Sequence, residues 1–575
     1  MDNLRVMRKI VSLCLLAVFV LSGVPVSFAD VYDAKPKLVV IVVIDQFRGD
    51  YLDRYRADLK APNGFNLFLK KGAYFGSCYY DYANTKTAPG HATIGTGAYT
   101  DGHGIGSNEW WDLTRNTDRP VSSVEDERYR VVGNFDDLPA LQPPPAPKPT
   151  DARIGSSPLN LRATTVGDEV RLATQGEAKL YGISLKDRAA ILPSGQTANG
   201  AFWIDTTSGR FVTSTYYMKE MPEWATRFNK GPRIAQAVKE AGLEDTTQFY
   251  NMVGRTPAAN SYELDFARAL IEGEKLGQHG VTDVLTVSLS ANDIVGHQMG
   301  PDADAEKEMV LGLDRDLDGF FTYLDKKIGL ANVMVALTAD HGVAPIPAEA
   351  AKLGVAAARI DLETLTANLN EALNAKFSPG KGVNYFLPMQ ELPYLQLDPR
   401  VFAPGVSEKD AEKFVAEAVP AAIRRMGAAA LPPNNNDTLE ATRKYEESRV
   451  DPDPAVAFVR SRVELAEGKI PRTEFGDLIE HSYTSHGGWY VMVIPTAYQM
   501  EYLTGIQTTH FSPWSYDRHV PLGFFGAEFV PGYYRERVAP VDIAATFASI
   551  LGVNQPSASV GHVLTEALRP AQTVH

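Results

Sequence analysis

Cysteine is almost missing from this chain of 575 residues, which has only Cys14 and Cys78. Cys14 falls in an N-terminal apolar stretch that reads as a removable leader, so the remaining chain can form no internal disulfide. A disulfide-stapled scaffold is thereby excluded. A basic excess is missing too: Lys and Arg number 56 against 70 Asp and Glu, a formal charge of −14. Nucleic-acid binding needs a basic face, so none is expected. Any phosphate site must be locally positive against an acidic background. Beyond the leader there is no run of about 18 uninterrupted apolar residues, so the mature chain is expected to carry no membrane span. Internal repeats and long charge blocks are also lacking.

Arg5, Arg8 and Lys9 open the chain, an apolar stretch runs over 10–24, and Ser27-Phe28-Ala29 offers small residues at a cleavage site. This pattern predicts a signal peptide over 1–29. Residues 30–575 would then work in a periplasmic or secreted space. Loss of Asp2, Arg5, Arg8 and Lys9, a net +2, would leave −16. Hydrophobic residues at 44% and charged residues at 22% are ordinary for a globular protein, and the length suits a large α/β domain with insertions.

Within residues 37–44, Lys37 leads an unbroken β-branched and leucine run, as a central strand buried on both faces requires. Similar runs lie at 283–290, 332–338 and 520–525. Between them, 305–327 repeats Leu313, Leu317, Phe320 and Leu324 along one helical face. The alternation predicts an α/β fold with a central, mostly parallel sheet and helices on both faces. Functional residues gather beyond the carboxyl ends of such strands. Asp45, Asp293 and Asp340 stand there. Segments near 110–240 and 350–480 break the rhythm and read as insertions packed over the sheet. They include the Pro-rich 143–149 and the turn-rich 431–437. A closing helix is expected over 540–551.

Three motifs carry chemistry. In Thr87-Ala88-Pro89-Gly90-His91 the proline suits a first helical turn, placing Thr87 at a helix N-terminus that favours anions. Taken singly, Thr87 reads as a helix-capping threonine. In Asn292-Asp293-Ile294-Val295-Gly296-His297 the Asp and His meet on one side of a helical turn, as two zinc ligands do. Taken singly, that spacing arises often by chance. Asp340-His341-Gly342 ends an apolar strand, where a capping Asp beside a surface His is the bland alternative. Ser184–Arg188 reads as extended, so Lys186 and Arg188 point the same way and can face one phosphate; two solvated charges are the usual fate of such residues.

In chain order there is Asp45 after a strand, Thr87 before a helix, Asp293 with His297, Asp340-His341, then a late histidine. This order resembles the alkaline phosphatase superfamily over nearly the whole mature chain. It is nearest to the branch of phosphate-irrepressible alkaline phosphatases and nucleotide pyrophosphatase/phosphodiesterases, whose nucleophile segment 85–105 resembles. The resemblance implies that Asp45, Asp340 and His341 hold one metal, which also binds the Thr87 oxygen. Asp293, His297 and a late histidine would hold the other. His510 stands in His510-Phe511-Ser512-Pro513 before Tyr516-Asp517, matching the family's segment except that Phe511 replaces a glycine. His486, in Ser485-His486-Gly487-Gly488, is the alternative. The resemblance also implies that Asn108, Lys186 and Arg188 contact the phosphoryl oxygens. The cationic pair marks monoesterases rather than diesterases, because a monoester dianion carries an extra charged oxygen.

The implied activity is a metal-dependent alkaline phosphatase acting on small phosphate esters through a phosphothreonine at Thr87. Two zinc ions suit six Asp and His ligands, with manganese or iron as alternatives. A phosphodiesterase on the same scaffold and a non-catalytic metal- or phosphate-binding protein are the rival readings. A sulfatase is disfavoured, since Thr87-Ala88-Pro89-Gly90-His91 lacks the Cys/Ser-x-Pro-x-Arg pattern of that type. His91, His103 and His519 read as structural. Trp110 and Trp111 read as a leaving-group wall or as core.

Overall fold

The apolar run at 37–44 folds as the strand Leu38–Ile44, with every residue buried. Parallel neighbours flank it on both edges, Asp283–Leu289 and Val333–Thr338. A strand enclosed on all sides has no face for polar residues, hence its continuous Val/Leu/Ile composition. The computed structural model describes residues 35–115, 118–135, 154–244, 248–426 and 455–569. The leader over 1–29 and the segments 143–149 and 431–437 lie outside the described residues.

Among the described residues Leu38–Ile44 belongs to an eleven-stranded mixed sheet with helices around it. Asp283–Leu289, Leu180–Ser184 and Gly200–Ile204 follow in parallel on one side. Phe211–Ser214, Glu125–Val132 and Ile154–Ser156 then complete that side with antiparallel pairing. On the other side Val333–Thr338 pairs antiparallel with His519–Phe525, which pairs antiparallel with Ala73–Tyr79. The helix Asp304–Lys327 buries Leu313, Leu317, Phe320 and Leu324, the stripe that predicted it. The expected closing helix is Val541–Leu551.

Register fixes where the chain leaves the sheet. Val43 lies level with Ser288 on one side and Thr338 on the other, and Ser288 lies level with Ser184. Asp45, Lys186, Asp293 and Asp340 therefore emerge along one edge. Two successive antiparallel pairings make Ala73–Tyr79 run with the central strand, so its carboxyl end, leading to Thr87, reaches the same edge. His519–Phe525 runs the other way and starts there, which brings the segment before it, with His510, over the same place.

Two expectations need correction. Residues 110–240 are not an insertion laid over the sheet: Glu125–Val132, Ile154–Ser156, Leu180–Ser184, Gly200–Ile204 and Phe211–Ser214 are strands of it. Glu125–Val132 is mostly charged and the other four have three to five residues, so no apolar run stands out from the intervening loops. Residues 184–188 are not one extended piece either. The strand ends at Ser184, Lys186 keeps extended angles as the N-cap, and Asp187–Ile191 is helical. An i, i+2 alternation along a strand is therefore not what relates Lys186 to Arg188. In the region 350–480, helices Leu362–Phe377 and Glu408–Met426 share a separate apolar core, including Leu365, Leu369, Val415 and Val419. A three-stranded sheet of Tyr394–Gln396, Tyr490–Pro495 and Val456–Ser461 completes it.

Candidate active site

Thr87 is the first residue of the helix Thr87–Thr96, and the capping position belongs to Lys86, whose angles are extended. The Thr87 hydroxyl is thus not spent as the helix cap. The segment sits against Asp340: a Cβ on Gly90 would come within 2.3 Å of the Asp340 carbonyl oxygen. Only glycine allows that approach. His91, one turn on, meets the Thr87 carbonyl oxygen through Nδ1 at 2.8 Å and Ser288 Oγ through Nε2 at 2.7 Å. Its Nδ1 also lies 3.2 Å from Asp340 Oδ2. His91 therefore touches the site, a contact its sequence setting did not reveal. His103 bonds Thr93 and Ile105 at the far end of the helix, and burial drives its pKa down to about 3. His519 stacks on Tyr79 and meets the Gly76 carbonyl.

The predicted ligands come together. Asp45, Asp340 and His341 form one group and Asp293, His341 and His510 another, each with ligand atoms within 4.8 Å of one another. His297 Nε2 is 3.1 Å from Asp293 Oδ1, on the same face of the helix Ala291–Met299. His510 stacks on His341 with ring centroids 3.6 Å apart and lies 5.1 Å from His297. His486 belongs to neither group and instead stacks on Trp110 at 4.6 Å.

Each of the three imidazoles is anchored through Nδ1 to a backbone carbonyl: His297 to Thr508 at 2.8 Å, His341 to Gly342 at 3.0 Å and His510 to Thr85 at 2.6 Å. A proton on Nδ1 leaves Nε2 as the electron-pair donor, the arrangement metal-binding histidines use. Asp45 Oδ1, Asp340 Oδ2 and His341 Nε2 are buried without a hydrogen-bond partner. Buried polar atoms are seldom left so. His341 Nε2 lies 3.5 Å from Asp45 Oδ1 and 3.4 Å from Asp340 Oδ2, a cluster of acceptor atoms that fits a cation.

The charges agree. Burial, Asp293 and Asp340 hold the Asp45 carboxyl well above its usual range. Burial pushes Asp293 the same way, but Lys186 and His297 bring it well below. Asp340, also buried, is brought down to about 2 by His341 and His91. Burial lowers the pKa of His341 and of His510, favouring the neutral ring a ligand needs, whereas Asp293 outweighs burial at His297 and raises its pKa. Three carboxylates in one buried space need more positive charge than Lys186 supplies.

Lys186 Nζ lies 2.7 Å from Asp45 Oδ2 and 2.6 Å from Asp293 Oδ2, bridging one carboxylate of each group. Arg188 lines a cavity of about 300 Å³ together with Asn108, Glu109, Trp110, Trp111 and Met389. Its Nε is buried without a partner. Asn108 Oδ1 accepts a 2.8 Å bond from the Ala88 N–H, so its amide nitrogen is the group left to donate. Trp111 Nε1 donates to the Pro388 carbonyl, tying this wall to the region 350–480.

Sequence reasoning missed three residues, Gln46, Lys86 and Glu391. Gln46, at φ 61°, donates through its backbone N–H to Asp340 Oδ1 at 3.0 Å and through Nε2 to Asp293 Oδ1 at 2.7 Å. It braces both groups, and its place directly after Asp45 was the one available signal. Lys86 is fully buried and lies 2.5 Å from Glu391 Oε2, a partner 305 residues away that no local pattern announces. Phe511 has φ 100°, a backbone that favours glycine and costs a bulky residue on the order of 1–3 kcal/mol.

Known proteins share this architecture. The model of the type I phosphodiesterase / nucleotide pyrophosphatase family matches residues 39–467. The alkaline phosphatase PafA of Elizabethkingia meningoseptica is 32% identical over 96% of this chain and 98% of its own. The alkaline phosphatase PhoV of Synechococcus elongatus is 32% identical over 93% of this chain and 94% of its own. The crystal structure of wild-type PafA superposes with a TM-score of 0.73 at 30% identity, covering 93% of this chain and 99% of that one. The chain belongs to the type I phosphodiesterase / nucleotide pyrophosphatase family, within the alkaline phosphatase superfamily.

Proposed function

We propose that this chain is an exported alkaline phosphatase that hydrolyses phosphate monoesters through a phosphothreonine on Thr87. One observation carries the reading: Thr87, two Asp/His groups and the donors Lys186, Arg188 and Asn108 meet at a single sheet edge. The relatives named as alkaline phosphatases support it. Asp45, Asp340 and His341 would hold one divalent cation, and Asp293, His297 and His510 would hold a second. Zinc suits this ligand set; manganese and iron accept the same donors. Cations bound by these residues would supply Lewis acidity for the displacement.

Thr87 Oγ attacks phosphorus as the ester P–O bond breaks in line, and the hydroxyl proton ends on the departing oxygen, which leaves as the alcohol. Lys186, Arg188 and the Asn108 amide neutralise the charge spreading over the phosphoryl oxygens. The alcohol leaves through the cavity beside Arg188. Water then attacks phosphothreonine from the vacated side, releasing phosphate and restoring the Thr87 hydroxyl. The helix N-terminus at Thr87 favours the anionic groups throughout. The segment 1–29 supports export.

The family description also names phosphodiesterases, so diester cleavage is the second reading. Parallel assays of p-nitrophenyl phosphate and bis(p-nitrophenyl) phosphate on metal-replete protein decide between them. The monoester should turn over with much the higher kcat/KM. Faster cleavage of the diester would make the chain a phosphodiesterase instead.

A further inference from the structure

Phe511 joins two parts of the site through contacts on both sides of its ring. Its edge packs on the His510 imidazole, with centroids 4.3 Å apart and planes at 77°. The Lys86 ammonium lies over the ring, 4.4 Å from its centroid. A cation in that place is attracted by the negative aromatic face. Lys86 immediately precedes Thr87, and His510 immediately precedes Phe511. The backbones are joined at the same point: Thr85 Oγ1 accepts from the Phe511 N–H at 3.2 Å and the Ser512 N–H at 3.0 Å. The buried ammonium also donates to Ser107 Oγ at 3.2 Å, next to Asn108, and pairs with Glu391 at 2.5 Å. A phenylalanine at φ 100° would relax if it were glycine, so its ring must offset a backbone disadvantage.

We propose that Phe511 and Lys86 form a positioning pair. The Phe511 ring, clamped under the Lys86 ammonium, fixes the His510 imidazole relative to Thr87, and Glu391 from the region 350–480 holds the clamp closed. Neither residue touches the reacting atoms; both act through His510 and the nucleophile segment. This inference rests on His510 being a metal ligand, and its primary readout needs no turnover.

The test measures zinc affinity by competition with a chromophoric chelator, without substrate, in Phe511→Gly, Phe511→Leu, Lys86→Met, Lys86→Arg and the Lys86→Met/Phe511→Leu double variant. Phe511→Gly should keep the wild-type Tm or raise it, while one of two zinc equivalents binds about tenfold more weakly. Phe511→Leu and Lys86→Met should weaken the same equivalent, and Lys86→Arg should restore it. The double variant should be no worse than the poorer single variant. On p-nitrophenyl phosphate at saturating zinc, kcat should fall about tenfold in Lys86→Met with KM within threefold of wild type. Wild-type zinc affinity in the Phe511 and Lys86→Met variants would overturn the proposal, as would losses that multiply in the double variant. Should Phe511→Gly fail to fold, Phe511→Leu provides the same comparison with a side chain retained at that position. A wild-type protein that binds zinc but cleaves no phosphate ester would overturn the phosphatase reading while leaving the zinc comparison intact.

Discussion

Thr87 shows how one side chain gains a role from its neighbours. By itself it is a threonine at a helix start; with Lys86 as the cap, its hydroxyl is left for chemistry. Thr87→Ala should lower kcat for p-nitrophenyl phosphate by about 10³-fold or more, with Tm and metal content unchanged. Full activity in that variant would remove Thr87 from the reaction. The two cations play unequal parts. Lys186 bridges Asp45 and Asp293, so Lys186→Ala should cost both metal affinity and turnover. Arg188 opens on the cavity with Asn108 and is the cleaner probe of substrate class. Arg188→Ala should lower kcat/KM for the monoester by about 10²-fold, or about 2.7 kcal/mol, and for the diester by much less. Equal losses would remove the basis for preferring monoesters.

Among the elements, the antiparallel strand His519–Phe525 decides where the last histidine lies. Because it starts at the active edge, the loop before it lays His510 on His341, while His486 stays with Trp110. His510→Ala should lose one metal equivalent by elemental analysis and His486→Ala none. The reverse result would reassign the ligand. The nucleophile helix owes its place to Gly90 against Asp340, a contact invisible in a sequence that shows only a glycine after a proline. Asp45, Asp293 and Asp340 were legible because each follows an apolar strand or opens the turn after one. Gln46, Lys86 and Glu391 were not, because long-range pairing gives them their meaning and such pairing leaves no local period. The strands within 110–240 escaped notice for another reason: four of the five are short, and Glu125–Val132 is mostly charged.

At the largest scale, the region 350–480 reaches the active edge through buried charge. Glu501 accepts the Leu392 N–H at 2.8 Å, and burial with help from Glu391 pushes its pKa up to about 8, against the opposing pull of Lys86. The unfolded value is the lower one, near 4.5. Between those values the folded chain keeps a proton that the unfolded chain has released, so stability falls as pH rises through the window. Glu501→Gln should therefore melt close to wild type at pH 5 and above it at pH 9. A Tm difference that does not grow over that range would show that Glu501 is ionised in the fold. Local patterns were enough to specify the central strands, the order of acidic and imidazole residues along the chain and the nucleophile's helix, because apolar periodicity, caps and turn residues act between near neighbours. Which histidine joins the carboxylates, what Lys186 bridges and what holds Lys86 were settled by folding alone. Those choices depend on register, strand direction and burial, which bring together side chains hundreds of residues apart.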